Sequence, residues 1–201
     1  MRRLVLVGGS AGSGKTTLAR SLADELGAGW LQLDSIWLAM KVDAGDGTAA
    51  YDLLDIDGRM RRDDEPDEAV LDAHVAAAEK VCSVLPTVLP LELQTHETLV
   101  VDGAWLVPSF VAGLGLPDCA ISAVYVTHTD ESGVAEALAP RLEGRPPEER
   151  HLRVNRRIHQ YGVWLAEQAR AHGLPVVEAL PFDTLLQRAK SALQDPRATG
   201  L

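Results

Sequence analysis

The chain has 201 residues, a net charge of −10 and a hydrophobic share of 46%, enough to bury a full core within one domain spanning 1–201. So acidic a chain argues against nucleic acid and anionic membranes as partners, because both need a basic face, and no apolar stretch is long enough to cross a bilayer. Cys82 and Cys119 lack metal-ligand spacing and have apolar neighbours, which reads as two buried free thiols in a cytoplasmic protein; composition leaves the oligomeric state open.

The first predicted strand is 3–7. A leader peptide also starts with basic residues and an apolar run, but this run stops at Gly8 and enters a glycine-rich loop, so it is read as a strand. The loop, Gly9-Ser10-Ala11-Gly12-Ser13-Gly14-Lys15-Thr16-Thr17, has the pattern Gly, four residues, Gly-Lys-Thr. Its glycines let successive N–H groups curl around a phosphate, Lys15 reaches the outer phosphates, and the Thr16 hydroxyl suits Mg²⁺. A helix over 15–26 follows, with Leu18, Leu22 and Leu26 on one stripe and Gly27 to end it. Its N-terminus aims partial positive charge at the phosphates. Strand, loop and helix together predict a nucleoside triphosphate site, with ATP and Mg²⁺ as its cofactors.

A second strand is predicted at 30–33, followed at once by Asp34. The stretch 41–68 is rich in Asp and Gly and has no clear apolar period, so 41–97 reads as a cap or acceptor-binding insertion over the site, with a helix at 67–84. Within it, Arg59, Arg61 and Arg62 can grip an anionic acceptor or simply be solvated. Asp55-Ile56-Asp57-Gly58 lacks the remaining ligands of a calcium loop. His74 shares a helical face with Val70, Leu71, Ala78 and Val81, which reads as a satisfied, half-buried histidine unless that helix lines the acceptor pocket.

A third strand, 98–101, is followed at once by Asp102. Open α/β sheets bind ligands at the carboxyl ends of their strands, so Asp34 and Asp102 are expected on the rim that holds the phosphate loop. Asp102 is placed to manage the metal opposite Thr16, and Asp34 to orient an acceptor hydroxyl and take its proton. Trp37 and Trp105 closely follow the two aspartates, so they are candidate walls of an acceptor pocket of apolar or ring character.

After a strand at 120–126 and a helix at 131–138, residues 139–157 read as a lid carrying Arg141, Arg145, Arg150, Arg153, Arg156 and Arg157. Guanidinium groups can stabilise the charge that spreads over a transferring phosphoryl group once water is excluded. Glu143, Glu148 and Glu149 supply countercharge, so only some of the six are expected to be functional. The helix 148–171 has a core stripe of Leu152, Ile158, Tyr161 and Leu165, which makes Tyr161 and Trp164 packing residues. A strand at 175–179 and a helix at 184–193, capped by Asp183, complete the pattern, and the tail after Asp195 has little to bury. The fold class is α/β: a P-loop three-layer sandwich with five parallel strands and helices on both faces.

These motifs resemble the small P-loop kinases of the adenylate-kinase-like and shikimate-kinase-like group. Val101-Asp102-Gly103 is similar to the Asp-Gly that ends their third strand, Arg141-Leu142-Glu143-Gly144-Arg145 to the opening of their lid, and Arg157-Ile158-His159-Gln160-Tyr161 to the arginine-bearing helix behind it. The resemblance implies that Arg141 lies near the adenine or outer phosphates, that Arg145 and Arg157 face the transferred group, and that the loop after Val177 approaches the adenine. Asp34-Ser35-Ile36 resembles chloramphenicol phosphotransferase, in which the aspartate at this place is the base, and the stretch from Val101 to Pro108 resembles part of 2-phosphoglycerate kinases, with Trp105 in place of their His. The likeness covers 1–36 and 98–193 and fails between them, so the acceptor does not carry over.

The expected activity is transfer of the γ-phosphoryl of Mg·ATP to a hydroxyl of a small-molecule acceptor, with Lys15, Asp34, Arg141, Arg145 and Arg157 as its catalytic residues. A nucleoside or nucleotide monophosphate kinase is the alternative among enzymes. An ATP-binding switch with slow hydrolysis is the alternative from another class, and the Asn-Lys-x-Asp motif of guanine-reading switches is absent from the sequence.

Overall fold

Leu4, Val5, Leu6 and Val7 are all buried, which requires a central strand covered on both faces. They belong to β1 (Arg2–Gly9), the middle of a five-stranded sheet in a computed structural model that describes residues 1–194. The expectation for the tail after Asp195 lies outside the described residues. The other strands are β2 (Gly29–Gln32), β3 (Thr98–Gly103), β4 (Cys119–Thr127) and β5 (Val176–Glu178). Their order is β2-β3-β1-β4-β5 and every neighbouring pair is parallel, the α/β sandwich read from the sequence.

Alternation along the strands separates two cores. Val5, Val7, Val100, Val124 and Val126 point to the face covered by α1 (Lys15–Leu26) and α10 (Phe182–Gln194), through Leu18, Leu22, Leu185 and Ala189. Leu4, Leu6, Leu99, Val101 and Tyr125 point to the opposite face, where α5 (Asp67–Cys82), α6 (Leu85–Thr95) and α9 (Glu149–Ala171) pack. Between these lie α2 (Leu33–Ala44), α3 (Ala49–Leu54), α4 (Ile56–Arg61), α7 (Pro108–Gly113) and α8 (Glu131–Leu138), with a 3-10 turn at Ala139–Leu142.

Several details differ from the sequence reading. β2 stops at Gln32 and Leu33 opens α2, so Asp34 sits in the first turn of a helix instead of directly at the end of a strand. The stretch 41–68 holds the end of α2 and two short helices, each of which starts on a side-chain cap: Thr48 accepts from Tyr51 N, and Asp55 from Gly58 N. The helix expected over 67–84 ends at Cys82, and α6 follows it with a proline at its tolerant N-terminus and Pro90 inside. Leu26 and Leu152, both assigned to core stripes, are exposed near the end of α1 and the start of α9. Asp183 lies within the first turn of α10 and so is not its N-cap. Both thiols are free, but Cys119 is only half-buried.

Candidate active site

β1 runs straight into the phosphate loop. Gly9, Gly12 and Gly14 all adopt positive φ (144°, 77° and 80°), and a Cβ on Gly9 would lie 2.1 Å from the Val126 carbonyl oxygen, so only glycine fits there. No side chain caps α1 at Gly14, which leaves its first N–H groups without side-chain partners. The Ser10 and Ser13 hydroxyls are buried and unpartnered. Lys15 is buried, with Nζ 3.4 Å from the Ser10 carbonyl oxygen. Burial pushes its pKa below the ordinary lysine value, against the pull of the Asp34 and Asp102 carboxylates. Unpaired donors and a desolvated cation in one loop fit a polyanion.

Asp102 is fully buried at the end of β3. Its Oδ2 accepts from the Thr16 hydroxyl at 2.8 Å, and its Oδ1 accepts from the Trp30 indole N–H at 2.7 Å. Burial raises its pKa, and the Thr16 and Trp30 hydrogen bonds and the Lys15 charge oppose that rise. A hydroxyl and a carboxylate this close are the hard oxygen donors that suit Mg²⁺, which takes few protein ligands when phosphates and water supply the rest. The structure therefore brings Thr16, Asp102 and Lys15 together. Trp30 was not singled out by the sequence. Its part depends on register: Trp30 pairs with Val100, which puts its side chain on the same sheet face as Asp102, two residues further along.

Asp34 lies close enough to Lys15 and Asp102 to act on both electrostatically. Its Oδ1 accepts from the Trp105 indole N–H at 2.8 Å. A cavity of about 330 Å³ opens here, and Lys15, Asp34, Trp37, His74, Trp105 and Tyr161 line it. The aromatic walls are continuous. Trp37 stacks on Trp105 with ring centroids 5.0 Å apart, Trp105 meets His74 at 5.4 Å, and His74 stacks on Tyr161 at 3.6 Å. Trp37 and Trp105 thus wall a cavity beside Asp34. Tyr161 is a packing residue as well as a wall, with its hydroxyl donated to the Ala104 carbonyl at 2.7 Å. His74 departs from expectation: it is buried on the cavity wall, and its Nδ1 has no hydrogen-bond partner. Burial, reinforced by the Lys15 charge, lowers its pKa to about 3, which favours the neutral ring.

The arginines divide. Arg141 and Arg61 reach this cavity and a neighbouring one of about 450 Å³ under the 3-10 turn. Arg145 is exposed, bonded to the Leu142 carbonyl and near Glu143, and nothing brings it to the cavity. Arg157 is the clear correction to the expected lid. It is 3% exposed and donates to Asp67 Oδ1 and to the carbonyls of Arg59, Met60, Arg62 and Glu65. Its Nε, its Nη1 and one bond from Nη2 tie α4 and the start of α5 to α9, and Arg157 does not line the cavity that holds Lys15 and Asp34. The chain after β5 does return to the phosphate loop, where Phe182 and Leu186 join Gly14 and Thr17 around a cavity of about 280 Å³. His128, also missed in the sequence, supports the loop from behind, with Nε2 3.2 Å from the Gly12 carbonyl oxygen.

The sequence profile of a family described as an AAA domain matches residues 5–162. No curated protein matches the chain. A gluconokinase structure from Sinorhizobium meliloti 1021 is 18% identical, with 96% of this chain and 93% of that chain covered and a TM-score of 0.54, and so shares the fold. A shikimate kinase from Acinetobacter baumannii is 17% identical over 94% of this chain and 95% of that one, with a TM-score of 0.46. A sugar kinase from Janibacter sp. HTCC2649 is 19% identical over 100% and 99%, with a TM-score of 0.43. No helix among the described residues is long and apolar enough to cross a membrane.

Proposed function

The chain belongs to the AAA domain family, and from that premise we propose that it transfers the γ-phosphoryl group of ATP to a hydroxyl of a small molecule. The observation that carries this reading is Asp34, a carboxylate fixed by the Trp105 N–H in the same aromatic-walled cavity as the phosphate-loop lysine. The Gly9–Thr16 backbone and Lys15 bind the triphosphate, and the cavity beside Phe182 offers room for the base. Asp34 accepts the acceptor's proton as its oxygen bonds to phosphorus and the bond to the ADP oxygen breaks. A phosphate acceptor is already ionised and needs no base, and Asp34 would repel it. Thr16 and Asp102 would hold Mg²⁺, which neutralises phosphate charge when bound. Arg141 is the lid arginine best placed to neutralise the transferred group.

Release of ADP across a panel of sugars, sugar acids, gluconate, shikimate, nucleosides and antibiotics, with the product identified by mass spectrometry, tests the reading. Acceptor-dependent turnover that Lys15→Ala abolishes is expected. Turnover that is indifferent to every acceptor, or equal in Lys15→Ala, overturns it.

A further inference from the structure

Four side chains in the wall of the Asp34 cavity carry both a ring and a polar tip, and three of the tips are satisfied within the protein. The Trp105 N–H is given to Asp34, the Trp37 N–H to the Leu54 carbonyl and the Tyr161 hydroxyl to the Ala104 carbonyl. His74 differs. It is only 7% exposed, it is held between the Tyr161 and Trp105 rings, and its Nδ1 is left without a partner. A buried polar atom in this condition destabilises a fold, and an apolar ring of similar shape would pack without that penalty. The imidazole is therefore costly to the fold and lines the one cavity that also holds Asp34 and Lys15. Its neutrality decides what it can recognise: one ring nitrogen donates and the other accepts, and neither offers charge to an anion. Asp34 and His74 line the same cavity, so a molecule that fills it meets both.

We propose that His74 positions the acceptor by exchanging a hydrogen bond with a second hydroxyl of the molecule whose first hydroxyl meets Asp34, so that the acceptor is a polyol. This rests on the phosphotransfer reading above. His74 touches no reacting atom and sets which hydroxyl is presented to Asp34. Its loss therefore appears in KM and in the choice of acceptor more than in the transfer step itself.

Three measurements at pH 8, where the imidazole is neutral in folded and unfolded chain alike, test this. In the first, the melting temperatures of His74→Phe and His74→Leu are compared with wild type. At least one variant is expected to equal or exceed wild type, because no hydrogen bond is lost. A clear fall in both means that the ring is there for the fold, and the proposal fails. In the second, glucose, glycerol and gluconate are offered with Mg·ATP, each beside a deoxy analogue that lacks one hydroxyl. Wild type should prefer a polyol to its deoxy analogue by about tenfold in kcat/KM, the size expected for one hydrogen bond in a buried site, and His74→Phe should lose that preference. In the third, His74→Gln, which keeps a neutral donor and acceptor, should recover part of it. An unchanged preference in His74→Phe overturns the proposal. If wild type binds ATP through Lys15 but phosphorylates none of the polyols, the polyol assignment is overturned while the kinase reading stands. If ATP does not bind at all, the kinase reading falls separately and the melting comparison judges His74.

Discussion

Asp34 and Asp102 are both carboxylates at the rim, and their hydrogen-bond partners give them different work. Asp102 spends one oxygen on Thr16 and the other on Trp30, so Asp102→Asn should weaken the metal site, and raised Mg²⁺ or Mn²⁺ should restore part of the ADP-release rate. Asp34 accepts from Trp105 through Oδ1 at 2.8 Å and from Gln32 through Oδ2 only at 3.5 Å, beside a cavity of about 330 Å³, so Asp34→Asn should lower kcat by about 10²–10⁴-fold, as expected for a lost general base, with no rescue by metal. The opposite pattern would exchange the two roles. His74 adds a pH effect. Its folded pKa of about 3 lies below the ordinary 6.5, so the unfolded chain takes up a proton that the folded chain refuses. Stability is complete above pH 6.5 and falls as pH drops towards 3. Chemical denaturation across that range should show a shallower slope in His74→Phe. Lys15, Asp34, Thr16 and Asp102 were legible because spacing and strand ends announce them. Trp30, His128 and the unpaired state of His74 were not, because they depend on strand register and on neighbours distant in the chain.

At the scale of elements, Lys15, Thr16 and Asp102 sit at the carboxyl rim of the sheet, and the helices from α2 to α5 that help wall the Asp34 cavity are tied to α9. The tie is Arg157, which joins the carbonyls at the end of α4 to Asp67 at the start of α5. Replacing a buried, multiply bonded guanidinium strands its acceptors, so Arg157→Met should cost about 3 kcal/mol, which for a chain of this length lowers the melting temperature by about 5–10 °C. Asp67 gives the same tie a pH signature. The Arg156 hydrogen bond, followed by that of Arg157, holds its carboxyl below the ordinary 3.8. The contribution is thus complete above that value and is lost as pH falls through the lower folded one. Acid titration of Asp67→Asn by circular dichroism should show less loss below about pH 4 than wild type. A wild-type profile in the variant would remove Asp67 from the tie. The strands, α1, α8 and α9 were readable from period and punctuation. Of the cap, only α5 was: α2 was taken for unpatterned chain, and α3 and α4 are six residues each and start on local side-chain caps. Arg157 was misread, since a helical arginine in a lid-like stretch looks alike whether it faces a phosphate or a set of carbonyls.

For the molecule as a whole, the proposed function would place nucleotide and acceptor on separable parts. The phosphate loop is built on β1 and α1 and braced by Val126 and His128 from the β4 side, while the acceptor cavity takes most of its walls from the cap, α9 and the segment after β3. A ligand that binds only the folded chain stabilises it by about 2.7 kcal/mol at one hundred times its Kd. A non-hydrolysable ATP analogue with Mg²⁺ should accordingly raise the melting temperature of wild type by about 5–10 °C. Lys15→Ala should keep the unliganded melting temperature and lose most of this increment, because it removes a charge from the loop and no packing from either core. Arg157→Met should do the reverse, starting lower and gaining nearly the full increment, because the cap can loosen while the loop stays braced by β4. Paired melts of the three proteins, with and without the analogue, decide the matter. If Arg157→Met loses the increment as Lys15→Ala does, the cap and the phosphate loop form one cooperative unit, and an acceptor bound under the cap must then change the affinity for ATP by the same factor that ATP changes the affinity for the acceptor.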